Sequence, residues 1–188
     1  MRLEAVVRDQ TGRHPAVVAK LASTADQLSG GRLLLGFGPP AGPDAELRLS
    51  EAVAVVRSLT ANDRTTFSGT FYQLRDAPLD PKPIQIPFPI LLVGASPALA
   101  ATQADHWSIT GAPPVIDSQL RALDESCRTI GRAREAITVS VVSDAPPQHA
   151  GVHEWVVPES ALGEDPSAWP EALADMRSVA AGAQAPHF

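Results

Sequence analysis

Residues 13–38, RHPAVVAKLASTADQLSGGRLLLGFG, decide the fold, because they contain a helix, a glycine stop and a buried strand that ends in a glycine-rich mouth. Pro15 stands in the first helical turn, where its missing N–H is no loss. Val17, Val18, Leu21, Ala25 and Leu28 follow at near-helical spacing, which predicts that they form the buried stripe. Gly30-Gly31 stand where a helix C-cap accepts a left-handed residue. The strand Leu33-Leu34-Leu35 is apolar on both faces, as in a parallel sheet covered by helices. Such sheets bind ligands at their C-terminal strand ends, which makes Gly36-Phe37-Gly38 the mouth of a site.

Working outward, Leu3 to Val7 reads as a first strand, followed by the polar turn from Arg8 to Gly12. Three prolines between Pro39 and Pro43 forbid regular structure. Asp44 is then placed to cap a helix from Ala45 to Leu59, with Leu47, Val53, Val56 and Leu59 on its buried side. TTFSGTFYQL, residues 65–74, suits a small hairpin around Ser68-Gly69. Proline-dense residues 78–89 form an extended excursion that delivers the chain to the apolar strand Ile90-Leu91-Leu92-Val93. Gly94-Ala95-Ser96-Pro97 makes a tight corner, with Ser96 at the cap and Pro97 at the first position of a helix ending near Ala104. His106 to Thr110 is the next strand, and Gly111 to Pro114 breaks the chain before a helix from Ile116 to Ile130, closed by Gly131. Ile137 to Val142 and Val152 to Val157 are further strands, and a last helix is expected from Pro166 to Ala181. Six principal strands, most followed by helices, predict an α/β fold of parallel βα units wound right-handed around one sheet.

The 188 residues, 44% hydrophobic and 19% charged, have the composition of a soluble globular chain and suit one domain over 1–188. They fall short of the roughly 250 that a closed eight-stranded barrel usually takes. A net charge of −6 without a clustered basic run speaks against nucleic acid or an anionic membrane as partner. Cys127 is the single cysteine, so no intrachain disulfide or cysteine zinc site is expected, as suits a cytoplasmic protein. No signal peptide and no membrane-spanning run is legible.

The opening stretch, with its RHPA, DQLSGGR and LGFG strings, resembles the luciferase-like flavin-dependent monooxygenase and oxidoreductase family. ELRLSEAVAVVRSL resembles that family's R-x-x-E-x-x-x-x-x-R helix, FSGTFYQLRDAPLDPKPIQIPFPILLVGAS its F-x-G-x-x-Y…PKPxQxPxPPILVGG run, and ADHWSITG its ADGWN or ADGFI string. The resemblance covers nearly the whole chain. It implies a TIM-barrel-like (β/α)8 fold, FMN or a deazaflavin as coenzyme, a small organic substrate and a homodimer. The six strands map onto the family's third to eighth, so the barrel is expected to be incomplete and truncated at its N-terminus. The loop PPAGPD is also shorter than the family's GxGW…E…G connection.

Two corners offer backbone amides and small side chains where a parallel strand meets a helix: Gly94-Ala95-Ser96 and Thr110-Gly111-Ala112. They could cradle a phosphate, or serve only as tight turns. The resemblance implies that Gly94, Ala95, Ser96, Thr110 and Gly111 hold the flavin phosphate. It also implies that Val7 and Arg8, where the family often has a non-proline cis peptide, lie against the flavin ring. His14 is a candidate proton donor or ligand contact, and equally a cap and packing residue. No catalytic set transfers with the resemblance, because the first two strands supply much of it. Trp107 and Trp155 read as packing, and Phe67, Phe71 and Tyr72 as hairpin stabilisers. His106, His149 and His153 lack metal-ligand spacing, and no hydrolase elbow or P-loop is present. The leading expectation is a flavin-dependent oxidoreductase; the alternatives are a flavin- or ligand-binding protein without turnover, and a fragment whose true start lies upstream of Met1.

Overall fold

A computed structural model describes residues 3–7, 12–142 and 152–156 of the chain. In chain order it contains β1 (Leu3–Val7), α1 (Pro15–Ser29), β2 (Leu33–Phe37) and α2 (Ala45–Ala61). A hairpin of β3 (Arg64–Ser68) and β4 (Gln73–Pro78) follows, then β5 (Ile90–Val93), α3 (Pro97–Gln103), β6 (His106–Thr110) and α4 (Pro113–Ile130). A 3-10 turn, Arg134–Ala136, leads to β7 (Thr138–Val142), and β8 (Glu154–Val156) completes the described elements.

Six strands pair in the order β1-β2-β5-β6-β7-β8, every pair parallel, as expected from their apolar runs and intervening helices. β2 is buried at all five positions and β5 at three of four, the burial that helix-covered parallel strands require. Alternate residues face opposite ways. Leu35, Phe37, Ile90, Leu92, Trp107, Ile109, Val139 and Val141 join the helices in one core. The other face carries His106, Ser108 and Thr110 of β6 in register with Thr138, Ser140 and Val142 of β7. The hairpin stands apart as a separate antiparallel pair.

α1 ends as expected: Gly30 adopts φ 69°, and the N–H of Gly31 reaches back to the Asp26 carbonyl. Its buried face differs from the expected stripe. Val18 is buried, but Val17, Leu21 and Leu28 are 50%, 55% and 85% exposed. Pro15, Ala19, Ala22, Ser23 and Asp26 face inward in their place. Small residues let the helix approach the sheet, and two polar side chains reach the proline-rich excursion. Ser23 Oγ donates to the Pro81 carbonyl. Asp26 Oδ2 accepts from the N–H groups of Ile84 (2.8 Å) and Gln85 (3.1 Å), and Oδ1 accepts from Gln85 Nε2 (2.8 Å). Gln85 Nε2 also donates to the Leu33 carbonyl at 2.6 Å, and Gln27 Nε2 to that of Lys82 at 2.7 Å. The DQLSGGR and PKPIQ strings therefore meet at the N-terminal end of β2.

Three local expectations are corrected. Asp44 occupies the α2 cap position in a left-handed conformation, φ 59°, and its side chain makes no capping bond. Leu47 is exposed, while Val53, Val56 and Leu59 are buried as expected. α4 begins at Pro113 rather than Ile116, because Pro113-Pro114 fill the first helical turn instead of preceding it. The expected helix over 166–181 lies outside the described residues.

Candidate functional site

The C-terminal strand ends surround a cleft of about 380 Å³, lined by Gly38, Pro39, Val93, Gly94, Ser108, Ile109, Thr110 and Val142. Each lining segment follows directly from the sheet. Gly38 continues β2 and donates its N–H to the Val7 carbonyl at 3.1 Å, which holds Val7 beside the cleft's glycine mouth. Gly94 continues β5 and donates to the Ser108 carbonyl at 3.0 Å. It adopts φ 67°, and a Cβ there would meet nothing within 4 Å, so the backbone at this corner is open to close approach. Thr110 Oγ1 bonds to the Val142 carbonyl at 3.2 Å. Gly111 follows it and leads into α4.

At the neighbouring corner Ala95 is buried, and its carbonyl accepts a bond from Trp107 Nε1 at 3.1 Å. Ser96 is the α3 cap, its Oγ accepting from the Leu99 N–H at 3.3 Å, with Pro97 next to it as expected. Both Ser96 donors have a partner that the sequence reading missed. The N–H donates to Glu46 Oε1 at 2.8 Å and the hydroxyl to Oε2 at 2.7 Å. A carboxylate in the first turn of α2 is a locally favourable choice, but nothing in the sequence links it to a residue 50 positions later.

His14 stands at the entry of α1, where its Nδ1 accepts from the Ala16 N–H at 3.2 Å. Its ring meets Tyr72 edge-on, with centroids 5.4 Å apart. Both contacts are those of a cap and packing residue. Arg8 lies outside the described residues.

The R-x-x-E helix acts on the hairpin. Glu51, 9% exposed, accepts from the N–H groups of Thr70 (2.6 Å), Phe71 (2.8 Å) and Tyr72 (3.2 Å). Burial pushes this carboxyl up, but the donors at Phe71, Thr70 and Tyr72 outweigh it and hold the group below the ordinary glutamate value. One turn earlier, Arg48 lies over the Phe71 ring, 4.0 Å from its centroid. The turn 69–72 presents N–H groups that no strand can pair, which was the available signal for Glu51.

Trp107 is fully buried, as expected of a packing residue, and Tyr72 is buried at the hairpin's turn. His153 Nδ1 accepts from the Val139 N–H at 3.0 Å, tying β8 to β7. His149 and the Trp155 side chain lie outside the described residues. Cys127 is buried, and burial pushes its thiol up, away from the reactive thiolate. Among the described residues no group of three His, Cys, Asp or Glu side chains is placed to hold a metal, and no helix is long and apolar enough to cross a membrane.

The family model for luciferase-like monooxygenases matches residues 1–150. The chain belongs to this family. An F420-dependent glucose-6-phosphate dehydrogenase of Microbacterium testaceum is 31% identical over 143 residues, 66% of this chain and 42% of that protein. Among solved structures, an F420-dependent secondary alcohol dehydrogenase in complex with an F420-acetone adduct superposes with a TM-score of 0.62 at 26% identity, over 68% of this chain and 44% of that one. The monooxygenase RslO1 from Streptomyces bottropensis gives 0.65 at 21% identity, over 94% and 58%, a likeness of fold. The chain thus spans less than half the length of its matched curated relative. What it shares with these luciferase-like proteins is a TIM-barrel-like α/β fold built on a parallel sheet.

Proposed function

We propose that this chain is a flavin-dependent oxidoreductase or monooxygenase that takes FMN or a deazaflavin at the C-terminal strand ends and acts on a small organic substrate. The observation that carries this reading is the cleft between β2, β5, β6 and β7, whose open Gly94 corner lies among small and apolar walls. Its volume falls within the range of small-molecule sites. The relatives named for F420 support the choice of coenzyme class.

In this reading the Gly94-Ala95-Ser96 and Thr110-Gly111 corners hold the phosphate side of the coenzyme, and Val7 with Arg8 lies toward its ring. The flavin, when bound, supplies the electron or oxygen chemistry. The protein's own part is to orient it, through the backbone at Gly94 and the hydroxyls of Ser108 and Thr110, and to keep water from it with Pro39, Val93, Ile109 and Val142. His14 is the candidate proton donor. Its Nδ1 is engaged by Ala16, so a proton would have to leave from Nε2.

A flavin- or ligand-binding protein without turnover is the second reading, because the cleft's lining, among the described residues, includes no ionisable side chain. Fluorescence titration of the purified chain with FMN and with F420 tests both, followed by turnover with the reduced coenzymes over an alcohol, aldehyde and alkane panel. Binding with turnover supports the enzyme; binding without it supports the second reading; no affinity for either coenzyme refutes both.

A homodimer is part of the same proposal. It is supported by the exposed Leu3 and Val6 of edge strand β1 and by the outward Val17, Leu21 and Leu28 of α1, apolar surface that a partner copy would cover. Size-exclusion chromatography with light scattering should give twice the chain mass at micromolar concentration, and a monomer would refute it. The single, buried cysteine supports a cytoplasmic location.

A further inference from the structure

We propose that α1 is the seam of the homodimer, with the α1 of the second copy laid along the apolar groove between α1 and β1. The inference rests on the homodimer proposed above and assigns its interface.

The outward side of α1 is built to meet another helix. Val17, Leu21, Thr24 and Leu28 follow one another at intervals of four, three and four residues, the spacing of a two-helix seam. All four are exposed, with Lys20 and Gln27 beside them. Asp26 is buried, so this side of a 15-residue helix presents one charge and no carboxylate. α4 shows a solvated helix of the same chain, with Arg121, Asp124, Glu125 and Arg128 all exposed. Apolar surface also continues past the end of α1, where Ile84, packed against Gly31, and Ile86 are exposed.

Beside this ridge lies its complement. A groove of about 170 Å³ is lined by Ala5 and Val7 of β1, Ala22 and Ala25 of α1, and Leu33 and Leu35 of β2. Its small alanines form the holes that let a second helix approach, and the exposed Val17 and Leu21 of that helix supply the knobs. Arg13 is the one ionisable group in the lining among the described residues. Contact between two copies about a two-fold axis requires a single patch that carries both ridge and groove, and α1 provides both. Charge selects the same occupant. Each copy carries a net charge of −6, so copies repel wherever carboxylates meet, and this face presents none. The seated helix would also cover Leu3 and Ala5, which stand exposed on a parallel strand that ordinarily lies beneath a helix.

The test is light scattering over a dilution series of the full chain and of the double variant Leu21→Lys/Leu28→Lys, with far-UV circular dichroism to establish that both are folded. Two lysines in each copy of the seam should raise the dimer dissociation constant at least about a hundredfold, since each removes a buried leucine from the contact. A second measurement does not disturb the seam. Cys127 is buried, so Thr24→Cys gives the chain an accessible thiol in the middle of α1. Packed helices lie about 8–10 Å apart, so a bismaleimide of about that length should join two Thr24→Cys copies into a covalent dimer. Arg121→Cys on the charged face of α4 should remain largely uncoupled under the same conditions. A double variant that dimerises like the wild type, or a Thr24→Cys chain that couples no better than Arg121→Cys, overturns the α1 seam and leaves the homodimer standing on another surface. A wild type that is monomeric across the dilution series removes the homodimer, and the seam with it.

Discussion

Replacing Asp26 with alanine should unfold the chain more readily than almost any other single polar substitution, without touching the cleft. Asp26 is fully buried and accepts three bonds of ordinary length, from the Ile84 and Gln85 N–H groups and from Gln85 Nε2, with Leu33 N–H at 3.4 Å as a fourth, long contact. Alanine leaves two backbone donors without an acceptor, each costing about 1–3 kcal/mol when buried. Ile84 is exposed and Gln85 half-buried, so water reaches part of this site and the lower end of that range applies. Adding the loss at Gln85 Nε2 gives a destabilisation of about 3–4 kcal/mol, a large share of a typical domain's stability. Asp26→Asn keeps one acceptor but turns an amide donor toward other donors, and should cost about 2–3 kcal/mol. Urea unfolding followed by far-UV circular dichroism measures both. A double-mutant cycle with Gln85→Ala should show coupling of about 1 kcal/mol or more, since the two side chains are bonded. Flavin affinity should change by no more than about twofold, because the network is at the opposite end of the strands from the cleft. A loss below about 1 kcal/mol for both variants would refute the assignment of Asp26 as the tie between α1 and the proline-rich segment.

Other consequences are equally specific. Glu51 has a folded pKa below its unfolded value, so its stabilisation is present above the unfolded value and lost as pH falls through the folded one. Urea midpoints of the wild type should therefore drop on the acid side of about pH 4.3, and Glu51→Gln should flatten that limb while losing about 1–2 kcal/mol at pH 7. Trp107→Phe removes the bond to the Ala95 carbonyl and part of a fully buried side chain; a loss of about 2–3 kcal/mol is expected in thermal unfolding. On α1, Leu28→Lys should stay within about 0.5 kcal/mol for unfolding of the single chain and act on dimer formation instead, whereas Ala22→Leu should cost about 1–3 kcal/mol by overpacking. The reverse order would restore the buried stripe read from the sequence.

The strands were legible because each is a local apolar run: β2 and β5 announce burial on both faces in their own residues. The stop at Gly30 and the cap at Ser96 were legible for the same reason. The inward face of α1 was not, since Val17, Leu21 and Leu28 satisfy helical spacing as well as the true face does. What chose between them lies at Pro81, Ile84 and Gln85, more than 50 positions away. The candidate site divides in the same way. The strand-to-helix corners at Gly94, Ser96 and Thr110 were legible, and Gly94 and Thr110 line the cleft, while the bonds of Glu46 and Glu51 were missed because their partners are 50 and about 20 residues distant.

The strings that carry the family resemblance, DQLSGGR and PKPIQ, prove to be partners in one network around the buried Asp26 at the N-terminal strand ends. In barrels of this kind that end serves stability, and the C-terminal end serves chemistry. The amino-acid sequence by itself therefore determined the order of βα units and the family, because apolar periodicity, glycine stops and the network's own residues are local and distinctive. Only the tertiary structure decided which face of α1 is buried, that the R-x-x-E pair grips the hairpin, and that a carboxylate already occupies the Ser96 corner. Those outcomes depend on hydrogen-bond partners far apart in the chain, and a donor's need for an acceptor does not reveal which distant acceptor will meet it.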